Sequence, residues 1–264
     1  MNFFWIYNLP EPLLAAIVVG LFMVLAVSGL LAMRRLRSSQ SEDSRAGQNE
    51  LVSNYVSAIG MFYGITVGLL AVGTWENYSN IDDALVEEAS RINALYHDVS
   101  SYPEPNKSEL RGLLQDFLAY ELGPQWQAQK DGNVLPDGGY KLTAFQDGLL
   151  RFEPSTETEK IVHAETFAQF NRYSEIRLHR LAHVTAGLSV TLWYVVFIGG
   201  WVSIIMTYFF EYPCIRLHIT MTALMSAFIG LLVFLIVDMD WPFRGDFSVS
   251  PEPLQMILDK MLDQ

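Results

Sequence analysis

Four stretches without a single Asp, Glu, Lys or Arg constrain this 264-residue chain more than any other feature: Pro12 to Met33, Leu51 to Trp75, Leu181 to Phe210 and Leu217 to Val237. At roughly 1.5 Å of rise per residue, a stretch like the first, 22 residues long, covers about 33 Å, the depth of a bilayer's hydrocarbon core. The sequence therefore predicts an all-α membrane protein with four transmembrane helices. The residues before Pro12 lack the basic start of a cleavable signal, so the first span is expected to remain as an anchor. Glu211, Tyr212 and Pro213 form so short a link between spans three and four that the two must run antiparallel.

Charge supplies orientation and excludes whole classes of partner. The chain carries 17 Lys+Arg against 29 Asp+Glu, a net of −12, which is the wrong sign for binding nucleic acid. Arg34, Arg35, Arg37 and Arg45 follow span one and Arg216 lies in the other short loop, so the positive-inside rule places both connections in the cytoplasm. Both termini and residues 76–187 are then expected outside it, on the periplasmic side of a plasma (inner) membrane. The expected divisions are 1–75, spans one and two with a basic loop; 76–187, an acidic domain; and 188–264, spans three and four with a C-terminal tail.

The 76–187 segment holds 18 acidic and 10 basic residues, a net of −8, and no long apolar run. Its apolar positions recur at helical spacing, as in Ile81, Leu85, Ile92 and Leu95, and again in Leu110, Leu114, Phe117 and Leu118. It reads as a helical extramembrane domain inserted between helices 2 and 3. Thr156 and Glu159 have the form of a capping box, and Asp131-Gly132 through Pro136-Asp137-Gly138-Gly139 reads as a turn between two helical halves. No proline interrupts Leu51 to Ser100 or Thr156 to Tyr208, so spans two and three are expected to leave the bilayer as continuous rods.

Within span two, Gly60, Gly64 and Gly68 recur every four residues and let another backbone approach closely. The partner is either a helix of the same subunit or a second copy of the chain. In the second case Phe62, Thr66, Leu69 and Gly73, on the other flank, line an axial constriction that gates by dewetting. Glu76, Asp238 and Asp240 close spans two and four on one side, either as acidic rings around that axis or as helix ends paired with Arg177, Arg180 or Arg244. Glu87, Glu88 and Arg91 read as surface neighbours on one helix. His179 and His183 have metal-ligand spacing but no third ligand, so no metal is assigned. The single cysteine, Cys214, allows no intrachain disulfide. Trp75, Tyr78, Trp193, Tyr194, Trp201, Tyr208 and Trp241 suit an aromatic belt. No phosphate loop or nucleophile elbow is present, and neither a cofactor nor catalysis is expected.

Several local patterns together resemble the bestrophin-like family of four-helix membrane proteins. They are Phe62-Tyr63-Gly64, Trp75 with Tyr78, Glu88-Ala89, Leu95-Tyr96, Tyr120 with Gln125-Trp126, Arg177 with Arg180, and the ending Asp240-Trp241-Pro242-Phe243-Arg244-Gly245. The resemblance implies a ring-shaped homo-oligomer of four or more copies in a lipid bilayer, passing inorganic ions along an axis lined by the second helix. The acidic calcium clasp and aromatic pore neck of bestrophins have no residue-by-residue match here and are not carried over. Anions follow from the resemblance and cations from the acidic outer domain. The alternative is a membrane-anchored scaffold or sensor whose acidic domain binds a partner.

Overall fold

The computed structural model describes residues 4–36, 45–185 and 187–263, and the regular elements among them are all helical. They are α1 (Glu11–Leu36), α2 (Arg45–Val99), α3 (Asn106–Tyr120), α4 (Trp126–Lys130), α5 (Asp137–Arg151), α6 (Glu157–Ala182), α7 (Val190–Thr207), α8 (Ile215–Asp240) and α9 (Glu252–Leu262). Four of them are long and apolar enough to cross a membrane: α1, α2 from Gln48, α7 and α8. Arg37 and the loop from Ser38 to Ser44, part of the basic connection expected in the cytoplasm, lie outside the described residues.

The chain forms two compact units. The first comprises Met1–Glu76, Gly187–Asp240 and Gly245–Phe247. Here α1 lies along α8, and Gly230 permits the approach, since a Cβ there would stand 3.0 Å from the Cα of Val19. Phe22 stacks on Trp201 with ring centroids 5.6 Å apart. The linker between α7 and α8 is held by side chains from both other spans. Arg34 donates to the Tyr212 carbonyl at 2.6 Å, Asn49 exchanges two hydrogen bonds with the backbone of Glu211, and Gln48 donates to the Phe209 carbonyl. Leu21, Val24, Ile198, Phe228 and Leu231 remain exposed, an outer surface that hydrocarbon covers at no cost and water does not.

Span three departs from the expected continuous rod. α6 stops at Ala182, a 3₁₀ turn follows over His183–Thr185, and α7 starts only at Val190. Proline is not the only helix terminator. Gly187 is a weak helix former, Ser189 turns extended and its hydroxyl accepts from Leu192 N at 3.4 Å, and the Asp240 carboxylate accepts from Leu188 N at 2.5 Å. The Ser189 hydroxyl thus satisfies an amide in the first turn of α7 and Asp240 that of the residue before the cap, both of which a continuous helix would have bonded internally. Span two does run unbroken, as the 55-residue α2.

The second unit comprises Asn77–Ala186, Trp241–Arg244 and Ser248–Gln264. Ile81, Leu85, Ile92 and Leu95 of α2 point into one core with Leu110, Leu114 and Phe117 of α3 and Phe145 and Leu149 of α5. The capping box forms at the start of α6: Glu159 N donates to the Thr156 hydroxyl at 3.1 Å, and Thr156 N donates back to the Glu159 carboxylate at 3.1 Å. Pro136 to Gly139 is not wholly a turn, because α5 already begins at Asp137 and takes both glycines into its first turn. The C-terminal residues, which sequence analysis grouped with spans three and four, pack in this second unit. α9 buries Leu254, Leu258 and Met261, and the Met261 carbonyl accepts from Tyr96 and Gln115.

At the edge of this core the Tyr102 hydroxyl lies 2.7 Å from His163 Nδ1, with the rings of Phe152 and Phe167 5.4 and 4.9 Å from the imidazole. Burial lowers the His163 pKa, so the unfolded chain takes up that proton more readily. Its stability contribution is complete above the ordinary imidazole value near ~6.5 and is lost as pH falls through the depressed folded value. Thermal melts in detergent should therefore show a steeper loss of stability on acidification below about pH 6.5 for the wild type than for His163→Gln. Parallel curves would remove His163 as a cause. In the same assay Leu85→Ala, at a fully buried site, should cost about 2–5 kcal/mol, and Lys160→Ala, which breaks only an exposed pair with Glu157, a few tenths.

Candidate functional site

α2 in the first unit has one covered face and one bare one. Tyr63 lies across Gly199 and Gly200 of α7, where a Cβ on Gly199 would come 2.6 Å from the tyrosine ring, and its hydroxyl donates to the Val196 carbonyl at 3.2 Å. Tyr63, Val67 and Thr74 are buried and share one narrow arc of the helix. With side chains stepping about 100° per residue, Met61, Ile65, Leu69 and Val72 fall within about 40° of the opposite direction. All four are exposed.

The two flanks are equally open. Gly64 and Gly68 are exposed, Gly60 is half-buried, and no described atom would lie within 4 Å of a Cβ at any of the three. The glycine row thus does not pack against a helix of its own chain among the described residues. On the other flank Phe62 is 67% exposed and Leu69 69%, Gly73 is exposed, and Thr66 is half-buried with its hydroxyl bonded to the Phe62 carbonyl at 2.8 Å. Sequence reasoning did not single out Met61, Ile65 and Val72. The signal was available in Tyr63 and the Gly199-Gly200 pair, which together fix the buried direction.

The three carboxylates at the helix ends are placed unequally. Glu76 is exposed, whereas Asp238 and Asp240 are buried. Asp240 engages its own chain: one oxygen accepts from Leu188 N and the other from the Trp193 indole at 3.3 Å, fastening the end of α8 to the start of α7. Nearby, Asp246 accepts from Glu11 N at 3.0 Å and so caps α1. Gly245, at φ +81°, takes a left-handed turn open to glycine at no steric cost.

Two of the three arginines expected beside those carboxylates, Arg177 and Arg180, serve another site. In the second unit Arg180, with no exposed surface, donates through Nε to Glu88 Oε2 at 2.6 Å and through its terminal nitrogens to Glu88 Oε1, Glu121 Oε2 and Gln129 Oε1 at 3.1, 2.8 and 2.5 Å. Arg177 bonds Glu121 Oε1 through Nε at 3.1 Å and through a terminal nitrogen at 2.5 Å, and the Tyr173 hydroxyl donates to Glu88. Burial alone would lower the Arg180 pKa, but Glu88 and Glu121 outweigh it and raise the pKa, so the guanidinium stays charged. Glu88 is consequently not a surface residue; only its neighbour Glu87 makes the exposed 3.0 Å pair with Arg91. Gly138 is small for this network, because a Cβ there would stand 2.7 Å from both Arg177 and Glu121.

The surrounding residues are largely those that carried the family pattern. A π-helical turn at Glu121–Gln125, containing Pro124, joins α3 to α4 and turns Glu121 and Gln125 inward. Arg180 lies over the Trp126 ring at 5.9 Å, and Trp126 meets Phe243 edge to face at 5.8 Å. His179 and His183 have ring centroids 4.7 Å apart, and among the described residues no group of three or more His, Cys, Asp or Glu gathers for a metal.

Four apolar helices in an all-helical chain make this a membrane protein, and superposition gives it the bestrophin fold. The structure is similar to two single-substitution variants of a bacterial bestrophin homologue from Klebsiella pneumoniae. One superposes with a TM-score of 0.66 at 10% identity over 94% of this chain and 96% of that one, the other with 0.64 at 9% identity over 95% and 97%. The bestrophin-like domain model matches residues 20–254, and the chain belongs to the bestrophin-like family. No curated protein matches it by sequence.

Removing one member of a buried ion network strands its partners without water. Arg180→Ala should therefore destabilise the protein by about 3–5 kcal/mol, and Arg180→Lys should recover little of that, since an ammonium cannot bond Glu88, Glu121 and Gln129 in one fork. Denaturation of both variants in detergent checks this, and a near-wild-type Arg180→Lys would show that charge alone suffices.

Proposed function

We propose that this protein is a homo-oligomeric ion channel, a ring of four or more copies in a plasma (inner) membrane with the pore lined by α2. The observation that carries the reading is the bare face of α2, apolar in its centre, with glycine on one flank and Phe62, Leu69 and Gly73 on the other. A helix free over so wide an arc can meet a neighbouring copy on one side and a hole on the other. A contact that joins one patch to a different patch on the next copy is heterologous, and it gives a ring where the rotation closes. Family membership and the shared fold support the same reading.

In the ring, Gly64 and Gly68 lie against the adjacent subunit, while Phe62, Ile65 and Leu69 narrow the axis to an apolar, dewetting gate. Residues 76–187 stand outside the cytoplasm as an extramembrane domain between the second and third spans, together with both termini. Glu76 adds an exposed carboxylate per copy at the mouth. The acidic domain draws cations toward that mouth, whereas the family resemblance implies anions, so reversal potentials under a salt gradient assign the sign. The protein has no catalytic role in this reading.

Purified oligomer in planar bilayers should conduct. Phe62→Ala should leave assembly intact and raise the conductance, whereas Gly64→Leu should split the oligomer on size exclusion by forcing neighbouring backbones apart. A silent, intact oligomer would point instead to an anchored scaffold, and identical behaviour of the two variants would mean that the flanks are assigned the wrong way round.

A further inference from the structure

At the end of α6 two imidazoles stand side by side with nothing to bond. The ring centroids of His179 and His183 lie 4.7 Å apart, with the planes inclined by 50°. Side chains one turn apart on a helix share a face, one above the other. His183 keeps that geometry although it caps the helix, because its backbone is still helical at φ −83° and ψ −7°. Neither imidazole has a hydrogen-bond or ion-pair partner among the described residues. His183 is half-buried with Nδ1 enclosed, which leaves Nε2 as its outward nitrogen, and His179 beside it is exposed.

We infer that His179 and His183 form a two-imidazole chelate site for a divalent transition metal, zinc, nickel or copper, completed by water. Two imidazole nitrogens, each ~2.1 Å from one metal, leave their ring centres on the order of 5 Å apart. That is close to the separation the helix already holds, so little rearrangement is needed to seat the ion. The ligand type selects the metal: neutral nitrogen suits zinc, nickel and copper, whereas calcium and magnesium require oxygen. No third His, Cys, Asp or Glu joins the pair among the described residues. The remaining coordination positions therefore fall to water, and the metal exchanges with solvent. Bound there, it ties the last turn of α6 to the 3₁₀ turn His183–Thr185 that follows. The site lies within the second unit of one chain and stands whether or not the protein conducts.

The test titrates nickel chloride, and separately zinc chloride, into the full-length, tag-free protein in detergent by calorimetry. A saturable site at one metal per chain is expected, and excess calcium chloride should not compete for it. The thermal midpoint should rise along the same curve, as it does for any ligand that binds the folded state alone. His179→Gln, at an exposed position that leaves the core untouched, should raise the half-saturating nickel concentration at least about tenfold. His183→Gln should do the same, and the double variant should lose little more than either single one, since a lone imidazole no longer chelates. If His183→Gln fails to fold, His179→Gln alone decides. A flat titration, or saturable binding that His179→Gln leaves unchanged, overturns the assignment; loss of conductance has no bearing on it.

Discussion

The orientation of α2 about its own axis rests on one contact. Tyr63 can lie flat across α7 only because residues 199 and 200 are both glycine, and its hydroxyl is then spent on the Val196 carbonyl. Once that ring is seated, every other side chain of α2 in the first unit has its direction assigned. Val67 and Thr74 go inward, the glycine row and Phe62 go to opposite flanks, and Met61, Ile65, Leu69 and Val72 face away from the chain. The functional reading is a statement about that outward arc.

The second unit is organised by charge. Two glutamates and two arginines balance one another inside a core from which water is excluded, and each guanidinium or carboxylate answers to partners on different elements: α2, the π-helical turn, α4 and α6. A pair of this kind adds little net stability over apolar residues of the same volume, but it tolerates very few alternative packings. It holds the π-helical turn in place through Glu121 and the start of α4 through Gln129. Motif residues far apart in sequence are thus reconciled by one electrostatic requirement.

Much of this was readable beforehand, for definable reasons. Hydrocarbon admits no uncompensated charge, so the four spans appear as gaps in the charge pattern, and core helices betray themselves by period, as Ile81, Leu85, Ile92 and Leu95 do. The break before α7 was missed because helix termination there depends on Ser189 and on Asp240, 51 positions downstream. Glu88 was misplaced for the same kind of reason: its neighbour Arg91 lies one turn away in sequence, while its true partner, Arg180, is reached only through the tertiary fold. Spacing alone separates the two flanks of α2 in direction, but the centre of the free arc needed Tyr63 and its glycine seat.

A density map of the protein assembled in a lipid nanodisc tests the central claim most directly. The account predicts four or more copies around an axis, with Gly64 and Gly68 of each against the next copy and Phe62, Ile65 and Leu69 bordering an axial hole. A single copy, or a pair with the bare face of α2 turned to lipid, would contradict it.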